Sequence, residues 1–318
     1  MKNKNLTILL IFLLIIAGCK TSGSKNSIID EDIRKGTQGL ILEFTKNAPP
    51  DKVFEDSIFP IAMKLKNNGA YDIEQGFLAL GLEKEYVSMA IGNDEIQRFQ
   101  IEGKSAFNPG GDEDFITINA HAKKAGPQSE THSSTILATV CYPYKTIFGN
   151  SVCVDPDIFG TKLSNKACQM KDQEFKDGQG APVAIAKIET RMLPDAGQNS
   201  DIVIPHFIIH IENKGNGEVI SAEKIQDACT NRPLEYKDFN KIKIQAFFSN
   251  QELNCNLGDD FGEAEVRLKE KKYIIRCTME DGIGKNKDAF SSILKVELDY
   301  GYTHTIAKDT AIEKILRY

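Results

Sequence analysis

Apolar and polar residues alternate along much of the chain with a period of two. Phe59, Ile61, Met63 and Leu65 fall on one side of Phe59–Lys66, and Phe207, Ile209 and Ile211 on one side of Phe207–Glu212. Successive side chains of a β-strand point to opposite faces, so the pattern predicts strands with one face buried. Further strand-like runs are Leu40–Phe44, Phe115–Ala120, Ile136–Tyr144, Val183–Ile188, Ile242–Phe248, Ala264–Leu268, Tyr273–Cys277 and Ile293–Leu298. Turn residues separate them, as in Asn67-Asn68-Gly69, Asn108-Pro109-Gly110-Gly111, Asn213-Lys214-Gly215 and Asp281-Gly282. Ser221–Cys229 alone predicts a short helix, with Ser221 as its N-cap. Many short strands with such punctuation predict an all-β protein built of antiparallel β-sandwiches.

The start of the chain breaks this pattern. Met1–Asn5 is basic, and Leu6–Ala17 is an apolar run of 12 residues. A bilayer-spanning helix needs about 20, so the run fits the core of an export signal peptide. It ends in Ile16-Ala17-Gly18-Cys19, which resembles the bacterial lipobox. The resemblance implies cleavage before Cys19 and diacylglycerol on its sulfur, with a plain secretory signal as the alternative. One acyl chain holds a protein only marginally, so stable anchoring takes more than one. Residues 1–18 are thus read as a lipoprotein signal peptide and 19–36 as the lipidated Cys and a polar tether. The 17 residues Lys20–Gly36 reach at most about 55–60 Å.

The 318 residues carry 39 Lys+Arg against 45 Asp+Glu, a net charge of −6. Cleavage removes Lys2 and Lys4 and leaves 300 residues with a net charge of −8. A chain this acidic lacks the basic footprint of a nucleic-acid binder. Of seven Cys, lipid on Cys19 leaves Cys141, Cys153, Cys168, Cys229, Cys255 and Cys277. An even number in an exported protein predicts three disulfides. Cys141 and Cys153 are candidates to pair across a hairpin, and Cys255 and Cys277 flank another; free buried thiols are the alternative. No C-x-x-C pair is present, which argues against a zinc ribbon or finger.

Two segments recur. Met63-Lys64-Leu65-Lys66-Asn67-Asn68-Gly69 matches His210-Ile211-Glu212-Asn213-Lys214-Gly215, and Val140–Thr146 matches Leu298–Thr303. Order and spacing agree apart from about twelve extra residues in the second copy. Two copies of one domain are expected, at 37–156 and 166–318, joined by a linker at 157–165. The strand–Asn-x-Gly signature resembles immunoglobulin-like domains of prokaryotic surface proteins, notably the cell-adhesion-related type. That resemblance implies two tandem immunoglobulin-like sandwiches, with Gly69 and Gly215 supplying a positive φ for the turn. Asn47-Ala48-Pro49-Pro50 and Gly178-Gln179-Gly180-Ala181-Pro182-Val183 are similar to phrases in uncharacterised surface lipoproteins of archaeal type, a resemblance that brings no activity with it.

Candidate chemistry is sparse. None of His121, His132, His206, His210 and His304 has metalloprotease spacing, and neither a G-x-S-x-G elbow nor a P-loop is present. His206 and His210 share a strand face about 13 Å apart, too far for one metal. Asp155-Pro156-Asp157 resembles the start of an EF-hand but fails at Phe159 and Lys166. Asp112, Asp114, Asp259 and Asp260 remain weak calcium candidates, and no other cofactor is expected. Tyr142, Tyr144, Tyr300 and Tyr302 are spaced i, i+2 in late strands of the two copies, either as half-buried packing or as a binding face. Lys269–Lys272 predicts a charged hairpin turn.

The expectation is a non-catalytic, lipid-anchored cell-surface protein facing outward from the cell membrane. Its role would be structural, adhesive or in assembly, toward an unidentified surface protein or glycan. The alternative is a lipoprotein that captures a ligand or glycan between its two domains.

Overall fold

The computed structural model describes residues 33–126, 129–162, 166–195, 201–230, 232–255 and 265–315. The signal segment, Cys19 and the tether as far as Asp32 lie outside the described residues, as do Asp259 and Asp260. The protein is all-β and almost wholly antiparallel. The first copy contains β1 (Leu40–Phe44), β2 (Lys52–Phe54), β3 (Ile58–Asn67), β4 (Ile73–Gly81), β5 (Val87–Met89), β6 (Ile96–Ile101), β7 (Glu113–Ala122) and β8 (Thr131–Val154). The second contains β9 (Gln173–Glu174), β10 (Val183–Pro194), β11 (Ile202–Asn213), β12 (Glu218–Ile220), the helix α1 (Ile225–Cys229), β13 (Lys241–Phe248), β14 (Gln251–Glu252), β15 (Asn254–Cys255), β16 (Glu265–Arg267), β17 (Lys272–Thr278), β18 (Ile283–Gly284) and β19 (Phe290–Glu313).

The duplication read from sequence is visible in the pairing. β1–β3–β7 in copy 1 repeats as β10–β11–β17 in copy 2, and Leu40↔Asn67 has its counterpart in Val183↔Asn213. Rather than two sandwiches in series, however, Ile33–Tyr318 forms one compact unit. The cause is the length of β8 and β19. Each has 24 residues, and they pair along their whole length from Phe290↔Val154 to Glu313↔Thr131. Next to β8, β4 reaches only from Leu137 to Cys141; next to β19, β13 reaches only from Leu294 to Asp299. The second half of each long strand therefore completes the sheet of the other copy. The expected runs Ile136–Tyr144 and Ile293–Leu298 are only parts of these strands.

Alternation fixes what each long strand buries. Even-numbered residues such as Ile136, Ala138, Val140, Leu294, Val296 and Leu298 point inward and are fully buried. Odd-numbered residues such as Thr135, Lys295 and Thr305 face outward. Cys141, Cys153 and Gly301 break the rule: all three are odd-numbered and buried. Copy 2 splits the counterpart of β4 into β12 and β13, and the segment between them, with α1, packs on the outer face over Phe77, Cys141 and Ile220. A Cβ at Gly301 would lie 2.8 Å from Ile220 and 2.9 Å from the Ser221 carbonyl, so only glycine admits this cover. Ser221 precedes a 3₁₀ turn at Ala222–Lys224 and makes no side-chain cap. The helix is thus shorter than the expected Ser221–Cys229, and it is held by packing and a disulfide.

All six expected Cys are paired, as Cys141–Cys229, Cys153–Cys168 and Cys255–Cys277. The candidate Cys141–Cys153 pair does not form. Both lie on the extended β8, where their 12-residue separation spreads them about 40 Å apart. Cys141–Cys229 instead ties the outer cover of copy 2 to the long strand of copy 1.

Candidate functional site

The residues that sequence singled out converge where β8 and β19 cross. Tyr142 opposes Tyr302, and Tyr144 opposes Tyr300. The four rings are 0–3% exposed, so the candidate tyrosine binding face lies in the interior. A buried phenol needs a hydrogen-bond partner, and each hydroxyl finds one in the facing sheet. The Leu40 amide donates to Tyr142 Oη at 3.2 Å, and the Val183 amide to Tyr300 Oη at 3.3 Å. Tyr144 Oη donates to Asn67 Oδ1 and Tyr302 Oη to Asn213 Oδ1, both at 3.3 Å. Burial pushes all four phenols up, Tyr302 to about 12.

The Asn-x-Gly signature acts through the same network. Asn67 Oδ1 accepts from the Gly69 amide at 3.2 Å, and Asn213 Oδ1 from the Gly215 amide at 3.1 Å. Asn67 Nδ2 donates to the Tyr71 carbonyl at 2.8 Å, and Asn213 Nδ2 to that of Gly217 at 3.0 Å. The expected positive φ at Gly69 and Gly215 is absent. Their glycines answer to close approach instead. A Cβ at Gly69 would overlap the Tyr144 hydroxyl, and one at Gly215 the Tyr302 hydroxyl. The motif is therefore a lock between sheets, repeated once per copy. The signal was present in the sequence as the pairing of each Asn-x-Gly with a later Tyr, although the alternation alone could not say which partner each Tyr meets.

The other candidates are scattered. Asp114 Oδ1 accepts from the Phe115 amide at 2.8 Å, and Asp112 Oδ1 from Asn108 Nδ2 at 3.3 Å. Asp157 accepts from the amides of Lys162 (3.0 Å) and Thr161 (2.9 Å), and these bonds hold its carboxyl down to about 2. His206 and His304 are lowered by burial, while His210 Nε2 lies 3.0 Å from Glu189 and His132 Nε2 3.1 Å from Glu83. Among the described residues no group of three or more His, Cys, Asp or Glu is arranged to hold a metal. Lys269–Lys272 is the expected tight turn, with Glu270 and Lys271 both at positive φ. A shallow cleft of ≈ 320 Å³ is lined by Gln251, Glu252, Leu253, Asn254, Glu280 and Asp281. It lies within copy 2, and its amides already hydrogen-bond its carboxylates, Gln251 to Asp281 and Asn254 to Glu280, each at 2.6 Å. The chain matches no protein-family model and no curated protein sequence.

Proposed function

We propose that the chain is a lipid-anchored protein on the outer side of the cell membrane, acting by contact in surface structure, adhesion or assembly. The observation that carries this reading is Ile16-Ala17-Gly18-Cys19 at the end of a 12-residue apolar run behind a basic start. Three disulfides support an extracytoplasmic setting, since disulfides persist in oxidising compartments. The antiparallel sandwich supports kinship with immunoglobulin-like adhesion domains at the level of fold class. The role is non-catalytic and needs no cofactor. Mass spectrometry of protein extracted from membranes should find a chain that begins at Cys19 and carries diacylglycerol, and Cys19→Ala should abolish the lipid. A bare Cys19 thiol in the membrane-bound protein would contradict the reading.

A further inference from the structure

The turn Gly178-Gln179-Gly180, just before β10 of copy 2, holds the chain that leads into copy 1. The Gly36 amide donates to the Asp177 carbonyl at 2.7 Å, and the Gly180 amide donates to the Gly36 carbonyl at 2.8 Å. The Gly180 carbonyl accepts in turn from the Ala70 amide at 2.8 Å. Gly36 is the last residue of the stretch that the sequence assigns to the tether, and Leu40 opens β1 soon after it.

Each residue of the turn has a physical reason. Gly178 stands at φ 69 and Gly180 at φ 68, a region that favours glycine. A Cβ on Gly178 would overlap the Gly36 carbonyl oxygen, and one on Gly180 would lie 2.7 Å from the Ala70 Cβ. Between them Gln179 is buried, and its side-chain amide pairs with the backbone of Ile185 in β10. Its Nε2 donates to the Ile185 carbonyl at 3.1 Å, and its Oε1 accepts from the Ile185 amide at 2.8 Å. These bonds sit where the β10–β11 register shifts, between Ile185 and Lys187. The glycines admit the incoming chain, and the glutamine fixes the turn to β10.

Gly36 is thus joined to two parts of the fold. Along the chain it leads to β1, a strand of 5 residues at the end of its sheet that ladders onto β3. Across the clasp it leads to β10, a strand of 12 residues that lies between β9 and β11. An end strand pulled from its terminus gives up its single ladder bond by bond, whereas an interior strand is held on both sides. We propose that the clasp carries the pull of the membrane anchor, sharing tension on the tether between β1 of copy 1 and β10 of copy 2. A protein that holds a surface partner while tied to a membrane is loaded between those two points, and the clasp keeps that load from stripping β1 off β3. The proposal deepens the anchored-contact reading and rests on it for the source of the tension; the clasp itself is independent of the lipid.

Pulling the full chain by handles at its two termini tests it, because the force then enters through Gly36 whether or not Cys19 carries lipid. The readout is the lifetime of the folded body under constant force. Gly178→Ala closes the turn to Gly36. Gly36→Pro breaks the clasp from the tether side and leaves copy 2 unchanged, since proline has no amide to give Asp177 and cannot adopt φ 107. Each variant should shorten the lifetime about tenfold, as the loss of one or two main-chain bonds implies, and should show a small early extension as β1 peels. Without load, hydrogen exchange at the buried residues Ile61 and Ile209 should match that of the parent, which separates a lost load path from a lost fold. Lifetimes equal to the parent's in both variants would overturn the proposal. So would a fall in unloaded core protection, in both variants, large enough to account for the whole loss of lifetime. A bare Cys19 thiol would contradict the anchoring reading without altering these lifetimes, so the two failures are seen separately.

Discussion

Where β8 and β19 cross, Asn67–Tyr144 in copy 1 and Asn213–Tyr302 in copy 2 form the same bond at the same 3.3 Å. At the edges the copies part company: copy 2 closes its sandwich with β9, and among the described residues no strand pairs with the outer edge of His304–Thr310 in copy 1. The difference follows from where water is. At the crossing the Asn and Tyr side chains of the lock are buried, and an orphaned polar group costs about 1–3 kcal/mol, so neither copy can change one member alone. At an edge, water satisfies what the protein does not, and sequence is free to diverge.

The largest expected effect is at the disulfide that closes the longest loop. Cys141–Cys229 closes 88 residues, against 15 and 22 for the other two. Loop-closure entropy then predicts a loss of about 4–5 kcal/mol for the double variant Cys141→Ser/Cys229→Ser, against about 3 for either other bridge. Denaturant midpoints would give the order, and an equal loss for all three would break the comparison. Next come the locks. Asn67→Ala and Asn213→Ala should each cost about 2–3 kcal/mol, and the two values should agree. A cost confined to one copy would show that the duplication is one of sequence alone.

Lys271 should act in the opposite direction. It sits at φ 65 beside Glu270 at φ 50 in the tight turn before β17. A side chain in that region costs about 1–2 kcal/mol, so Lys271→Gly should raise stability by up to about 1 kcal/mol. A thermal melt that falls would contradict this.

The smallest effect is a matter of pH. Hydrogen bonds from Arg191, followed by Lys187, hold the Asp172 carboxyl down to about 2. A depressed folded-state pKa stabilises above the unfolded value near 4 and is lost as pH falls through about 2. The β9 closure of copy 2 should therefore loosen between about pH 4 and pH 2, read as faster exchange at the amide of Ile188, which pairs with Gln173. Asp172→Asn should remove that pH dependence.

Much of this was legible in the chain. Alternation located the strands through Phe59–Leu65 and Phe207–Ile211, and the two Asn-x-Gly…Tyr pairs announced the duplication. The exchange of long strands was not legible, because period two says which face is buried and not how far a partner extends alongside. The pairing of Cys141 with Cys229 depends on the cover that copy 2 lays over the outer face, a contact between segments 88 residues apart. The tyrosines could be read either way, since an inward ring and an outward ring share the same spacing.

The central claim is that reciprocal strands make the two copies a single cooperative body. Native-state hydrogen exchange tests it most directly, at the buried residues Ile61 and Met63 of copy 1 and Ile209 and Ile211 of copy 2. The account predicts one common opening free energy for all four amides, because neither sheet is complete without the other copy's strand. Two distinct opening energies, with one copy opening while the other stays protected, would contradict it.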